Sequence, residues 1–143
     1  MFTIRKKFRF ETAHRLPSSY SQKCQQIHGH SYVGEIFLES ETLNNDGMVM
    51  DFGMIKEKIQ QIVDAFDHKF ILSTADPIMP SVEHLEKHFQ MDLGLRIFPY
   101  APTAEMFAKY IYDEMKKLIK TDNVKVKAVR IHETETGWAE YGE

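Results

Sequence analysis

Residues 2–14 read Phe2-Thr3-Ile4-Arg5-Lys6-Lys7-Phe8-Arg9-Phe10-Glu11-Thr12-Ala13-His14. Phe2, Ile4, Phe8 and Phe10 share one parity, while Thr3, Arg5, Lys7, Arg9 and Glu11 share the other. Successive strand side chains point to opposite faces, so this stretch predicts a long strand with one apolar and one wet face. A second strand is expected over residues 30–39, with Tyr32, Ile36 and Leu38 on one parity. The cluster Asn44-Asn45-Asp46-Gly47 marks a turn. Asp51 then stands where it can cap a helix carrying Ile55, Ile59, Ile62, Val63 and Phe66 on one side. A second helix opens at Pro102-Thr103, with Met106, Phe107, Tyr110, Ile111, Met115 and Leu118 as its apolar stripe. Residues 124–135 read as a strand whose alternation slips near Ala128-Val129, the signature of a bulge, and 137–142 as a short one. Residues 73–102, with Pro77, Pro80, Pro99 and Pro102, are expected to be a long connection holding a short helix over 81–89. The order β-β-α-loop-α-β predicts a single α+β domain over residues 1–143, its strands antiparallel and both helices on one sheet face.

The bulk composition narrows the function. A chain of 143 residues that is 43% hydrophobic and 27% charged is ordinary for a globular domain with a core. A net charge of −3 with no basic run gives no footprint for nucleic acid or membrane surfaces. No apolar stretch approaches the roughly 20 residues of a membrane span, and Met1–Lys7 lacks the apolar core of a secretory signal. The single cysteine, Cys24, allows no internal disulfide and fits a reducing compartment. A cytoplasmic protein is expected.

Chemistry concentrates in a few residues. His28 and His30 flank Gly29 at the start of the second strand and project to one face, while His14 ends the first strand. If the two strands pair, three imidazoles converge, and three neutral nitrogens with an open fourth position describe a catalytic zinc site. Cys24, four residues before His28, has three readings: a small buried residue, a fourth ligand, or a thiol activated beside the metal. Asp67-His68 follows the first helix, either as a carboxylate–imidazole pair for proton transfer or as a histidine favoured by the helix dipole. Glu133 continues the parity of Val129 and Ile131, at an exposed strand end or buried to meet paired N–H donors. Glu105, in a first helical turn, is explained by the dipole. His84 and His88, four apart among charged residues, read as surface histidines.

Taken in order, these segments resemble one family. Phe10-Glu11-Thr12-Ala13-His14-Arg15-Leu16, Cys24-x-x-x-His28-Gly29-His30-Ser31-Tyr32 and Gly47-Met48-Val49-Met50-Asp51-Phe52 are similar to the 6-pyruvoyl-tetrahydropterin synthases. So are Phe66-Asp67-His68, Pro102-Thr103-Ala104-Glu105 and Glu133-Thr134. The three-residue gap between Cys24 and His28 is similar to the 6-carboxy-tetrahydropterin synthases of queuosine biosynthesis within that family. The long 73–102 connection and Met106 depart from the family pattern.

The resemblance implies a tunnelling fold (T-fold), a four-stranded antiparallel sheet with two helices on one face. It also implies assembly as a homohexamer, a dimer of trimers with sites between subunits. It implies Zn²⁺ on His14, His28 and His30, catalytic roles for Cys24, Asp67, His68 and Glu133, and pterin contacts from Thr103, Glu105 and Glu133. The implied reaction converts 7,8-dihydroneopterin triphosphate to 6-carboxy-5,6,7,8-tetrahydropterin with release of acetaldehyde and triphosphate. The alternatives are triphosphate elimination alone, aldol cleavage of dihydroneopterin, and a non-catalytic zinc- or pterin-binding protein. Lys23, Lys69 and Arg15 are triphosphate candidates by charge alone.

Overall fold

The expected alternation builds β1 (Phe2–His14), whose even-numbered residues turn inward from Ile4 onward and are fully buried at Phe10, Thr12 and His14. It pairs antiparallel along its whole length with β2 (His28–Ser40), in a register that places Phe10 opposite Tyr32 and His14 opposite His28. That register is fixed by apolar parity, since a one-residue slip would turn Tyr32, Ile36 and Leu38 to the wet face. The computed structural model describes residues 1–143. No helix in it is long and apolar enough to cross a membrane.

Two helices close the inner face. Asp51 caps α2 (Phe52–Val63) by accepting from the Gly53 and Met54 amides, and Thr103 caps α4 (Ala104–Leu118) by accepting from the Met106 amide at 3.2 Å. Both caps satisfy amides that lack partners within the helix. Ile55, Ile59, Phe107, Ile111 and Met115 from these helices meet Phe10, Tyr32, Ile36, Val129 and Ile131 from the sheet in one core. The last strands, β5 (Lys125–His132) and β6 (Trp138–Gly142), extend the sheet antiparallel beyond β2. The expected bulge lies in β5: Phe37 faces Ala128 and Leu38 faces Val126, so Lys127 is the extra residue.

The strand count corrects the expectation. The sheet is mixed and has six strands, with β5 and β6 beyond β2 on one side and two further strands beyond β1 on the other. β3 (Lys69–Ser73) runs parallel to β1, and β4 (Leu95–Phe98) runs parallel to β3. Neither strand announces itself by alternation. β3 lies between two strands and buries the adjacent Ile71 and Leu72 completely, as an interior strand does. β4 has only four residues. The 73–102 segment is therefore structured: α3 (Met79–Phe89) contains the expected 81–89 helix and begins earlier. Pro80 sits in its first turn, where the missing N–H costs nothing. The short α1 (Gln22–Gln25), carrying Cys24, was not anticipated either.

Candidate metal centre

The β1–β2 register brings the three histidines together at one end of the sheet. One ring nitrogen from each of His14, His28 and His30 lies within 4.8 Å of the others. Gly29 makes room between the last two, since a Cβ there would stand 3.1 Å from the Thr12 carbonyl oxygen.

The surrounding carbonyls fix which nitrogens face the centre. His14 Nδ1 donates to the Pro102 carbonyl at 2.6 Å, and His28 Nδ1 donates to the Gln26 carbonyl at 2.7 Å. Each Nε2 is then the unprotonated nitrogen, and the two stand 3.0 Å apart. Two lone pairs facing each other at that distance repel unless a cation sits between them. His30 Nε2 is buried without a hydrogen-bond partner. Orientation of a ligating imidazole by an Nδ1–H···O=C bond is the usual support of such sites. Burial pushes the His14 and His30 imidazoles below the ordinary range, with His28 adding to it and Glu133 opposing, so both are held neutral. Three converging imidazole nitrogens, two of them on rings oriented by carbonyls, fit a transition-metal ion.

The other expected residues divide into those near this cluster and those apart from it. Glu133 Oε1 lies 3.4 Å from His30 Nε2, without hydrogen-bond alignment, one residue past the end of β5. Thr103 sits beside Pro102, whose carbonyl holds His14. Glu105 is exposed in the first turn of α4. Cys24, partly exposed on α1, is not among the clustered ligand atoms, and its backbone carbonyl accepts from the Leu16 amide at 2.8 Å.

Asp67 and His68 do touch, with Nδ1 2.9 Å from Oδ2. Asp67 also accepts from the Glu11 amide at 2.8 Å, and His68 donates its own amide to the Glu11 carbonyl. The Glu11 amide, helped by His68, holds the Asp67 carboxyl below the usual range. His68 takes the left-handed conformation, with φ of 57°, and its side chain is 77% exposed. His68 lines a cleft of about 540 Å³ together with Glu11, Ser31, His30, Lys69 and Leu93. His68 makes no hydrogen bond to the histidine cluster of its own chain.

Of the triphosphate candidates, Arg15 is engaged by the fully buried Asp76 at 2.8 Å, so its charge is already matched. Four supports were missed in the sequence: Gln26, Pro102, Glu11 and Tyr32. Three act through the backbone, Gln26 and Pro102 by their carbonyls and Glu11 by its amide and carbonyl, which no side-chain pattern reveals. Tyr32 had a readable signal, because it continues the His28–His30 parity on β2.

A mixed-sheet α+β chain that brings three histidines together at the end of a two-strand ladder has the T-fold architecture, with a cluster that could hold a metal ion. Residues 3–143 match the family described as 6-pyruvoyl tetrahydropterin synthase, and the chain belongs to that family. It is 36% identical to the 6-carboxy-5,6,7,8-tetrahydropterin synthase of Aquifex aeolicus, over 98% of this chain and 97% of that protein. Among solved structures it resembles an uncharacterized protein from Wolinella succinogenes, with a TM-score of 0.86 at 23% identity over 99% and 98% of the two chains. It also resembles the Caenorhabditis elegans 6-pyruvoyl tetrahydropterin synthase, with a TM-score of 0.70 at 24% identity over 99% and 95%.

Proposed function

We propose that this chain is a zinc-dependent 6-carboxy-tetrahydropterin synthase, acting on 7,8-dihydroneopterin triphosphate and releasing triphosphate and acetaldehyde. The observation that carries the reading is the three-histidine cluster, with the Nδ1 atoms of His14 and His28 pinned by carbonyls and one ring nitrogen from each residue converging. Support for the carboxy-forming branch comes from the Aquifex aeolicus relative's name and from the Cys24–His28 spacing.

His14, His28 and His30 would hold the zinc, which when bound supplies Lewis-acid polarisation of the substrate side chain. Cys24 acts as the base that takes a side-chain proton. His68, its Nδ1 beside Asp67, presents Nε2 outward as a proton acceptor and relays protons. Because the pair faces solvent on its own chain, it serves the metal centre of a neighbouring subunit in a homohexamer. Glu133, whose Oε1 lies 3.4 Å from His30 Nε2, anchors the paired N–H groups of the amino-pyrimidine edge through its two carboxylate oxygens. Thr103 and Glu105 supply further contacts to the pterin.

The test is to incubate zinc-loaded protein with dihydroneopterin triphosphate and weigh the products. A carboxy-pterin with acetaldehyde supports the reading. A pyruvoyl-pterin moves the chain to the elimination branch, and pterin binding without triphosphate release makes it a binding protein.

A further inference from the structure

Two side-chain polar atoms in this chain are buried without any partner, His30 Nε2 and the Tyr32 hydroxyl. They belong to consecutive same-face positions on β2. A buried polar atom left unpaired costs stability, so a fold rarely keeps one without a use. Here both fall at one place, and one of them is a nitrogen of the histidine cluster.

The Tyr32 ring is fixed. It stacks on Phe10 with centroids 4.9 Å apart and planes 6° from parallel, and Phe107 meets it edge-on at 5.5 Å. Its other neighbours are the imidazoles of His30 and His14, at 5.5 and 6.2 Å. The residue is wholly buried, and the apolar clamp offers the hydroxyl nothing to bond. Packing of the ring alone would be met by phenylalanine; the oxygen is the part that needs explaining. An O–H on a rigid ring beside two of the three clustered imidazoles is a preset hydrogen-bond donor to an oxygen held at that centre.

We propose that Tyr32 is a ligand-positioning residue whose hydroxyl donates to a side-chain oxygen of the bound pterin. This rests on the pterin reading above and adds a group to it. Tyr32 thus selects for pterins with an oxygenated side chain and contributes nothing to the binding of the bicyclic ring.

Tyr32→Phe tests it, because the substitution keeps the ring and removes only the oxygen. The probes are neopterin, which carries a trihydroxypropyl chain, and 6-methylpterin, which carries none, titrated by fluorescence against zinc-loaded protein. The expected result is a loss of about tenfold in neopterin affinity, the effect of one hydrogen bond at a desolvated site. Affinity for 6-methylpterin should change by less than about twofold. Zinc stoichiometry should be unaltered, and the thermal midpoint of the ligand-free protein should not fall, since an unpaired buried oxygen is being removed. An unchanged neopterin affinity overturns the proposal, as does an equal loss for both pterins or a lowered midpoint, either of which would make Tyr32 structural. If the unsubstituted protein binds neither pterin, the pterin reading falls and this proposal with it. If it binds both and Tyr32→Phe is silent, only the role of Tyr32 is lost.

Discussion

The two faces of the β1–β2 ladder both gather imidazoles and carboxylates, and they treat them in opposite ways. On the bare face, Glu35 is almost fully enclosed yet bonded on both oxygens: Arg5 reaches Oε1 and His132 reaches Oε2, each at 2.8 Å. Arg130 stands 3.8 Å from Oε2 while binding Glu140, and its guanidinium lies 4.2 Å over the Trp138 ring. Every charge in this network has its complement within the chain. On the helix-covered face, three imidazoles crowd with two Nε2 atoms in opposition, and one nitrogen and one hydroxyl are left without partners. A self-satisfied network is a structural device, whereas a buried network that needs something more is a binding site. Burial alone does not separate the two, because Glu35 and His14 are both buried.

Removing ligands from the needy face should have the largest effect. His28→Ala is expected to lose the metal and nearly all turnover, measured by metal analysis alongside product formation. Cys24→Ala should retain full metal content and lose about 10²–10⁴-fold in turnover, the usual contribution of one acid–base group; normal turnover would remove Cys24 from the base role. Asp67→Asn is expected to be milder, about 10–100-fold, because His68 keeps its place through its amide bond to Glu11 while losing the carboxylate that orients the ring. Mixing Asp67→Asn subunits with His28→Ala subunits sharpens the comparison. If the pair serves a neighbouring chain, mixed oligomers regain sites in which both sets are intact, and a mixture as dead as its parents would place the pair elsewhere.

How much of this was legible depended on whether a feature is written in side chains or in backbone. Parity gave the paired β1 and β2, the inward face, the caps at Asp51 and Thr103, and the convergence of His14 with His28 and His30. β3 and β4 were hidden because interior and very short strands carry no period-two pattern, so the sheet was expected to be smaller and wholly antiparallel. The contact between Asp67 and His68 was left open, since neighbours in an extended chain diverge. The left-handed backbone at His68 is what folds the ring back to the carboxylate, and nothing in the residue types demands it. The carbonyls of Gln26 and Pro102 that orient the imidazoles belong to the same hidden class.

The smallest effect is expected on the satisfied face, and it should be an effect on stability alone. Burial works to raise the Glu35 carboxyl, but the His132 hydrogen bond, then Arg5 and Arg130, outweigh it and hold the group below its ordinary value of 4.5. A carboxylate depressed in the fold gives its full stabilisation above the unfolded-state value, and that contribution disappears as pH falls through the folded-state value. Glu35→Gln should therefore cost about 1–2 kcal/mol near neutrality, a modest figure because the Arg5 side chain is 52% exposed and screened by water. The difference from the unsubstituted protein should shrink as pH drops below 4.5, where the native carboxylate also takes up its proton. Thermal midpoints from about pH 7 to about pH 3 would show the two curves converging on the acid side, and the fluorescence of Trp138, the only tryptophan, would report release of Arg130. Metal content and turnover should be untouched. Parallel curves with a constant gap would mean that Glu35 contributes through shape and hydrogen bonding, with its charge irrelevant. A loss of metal in Glu35→Gln would mean that the two faces of the ladder are coupled.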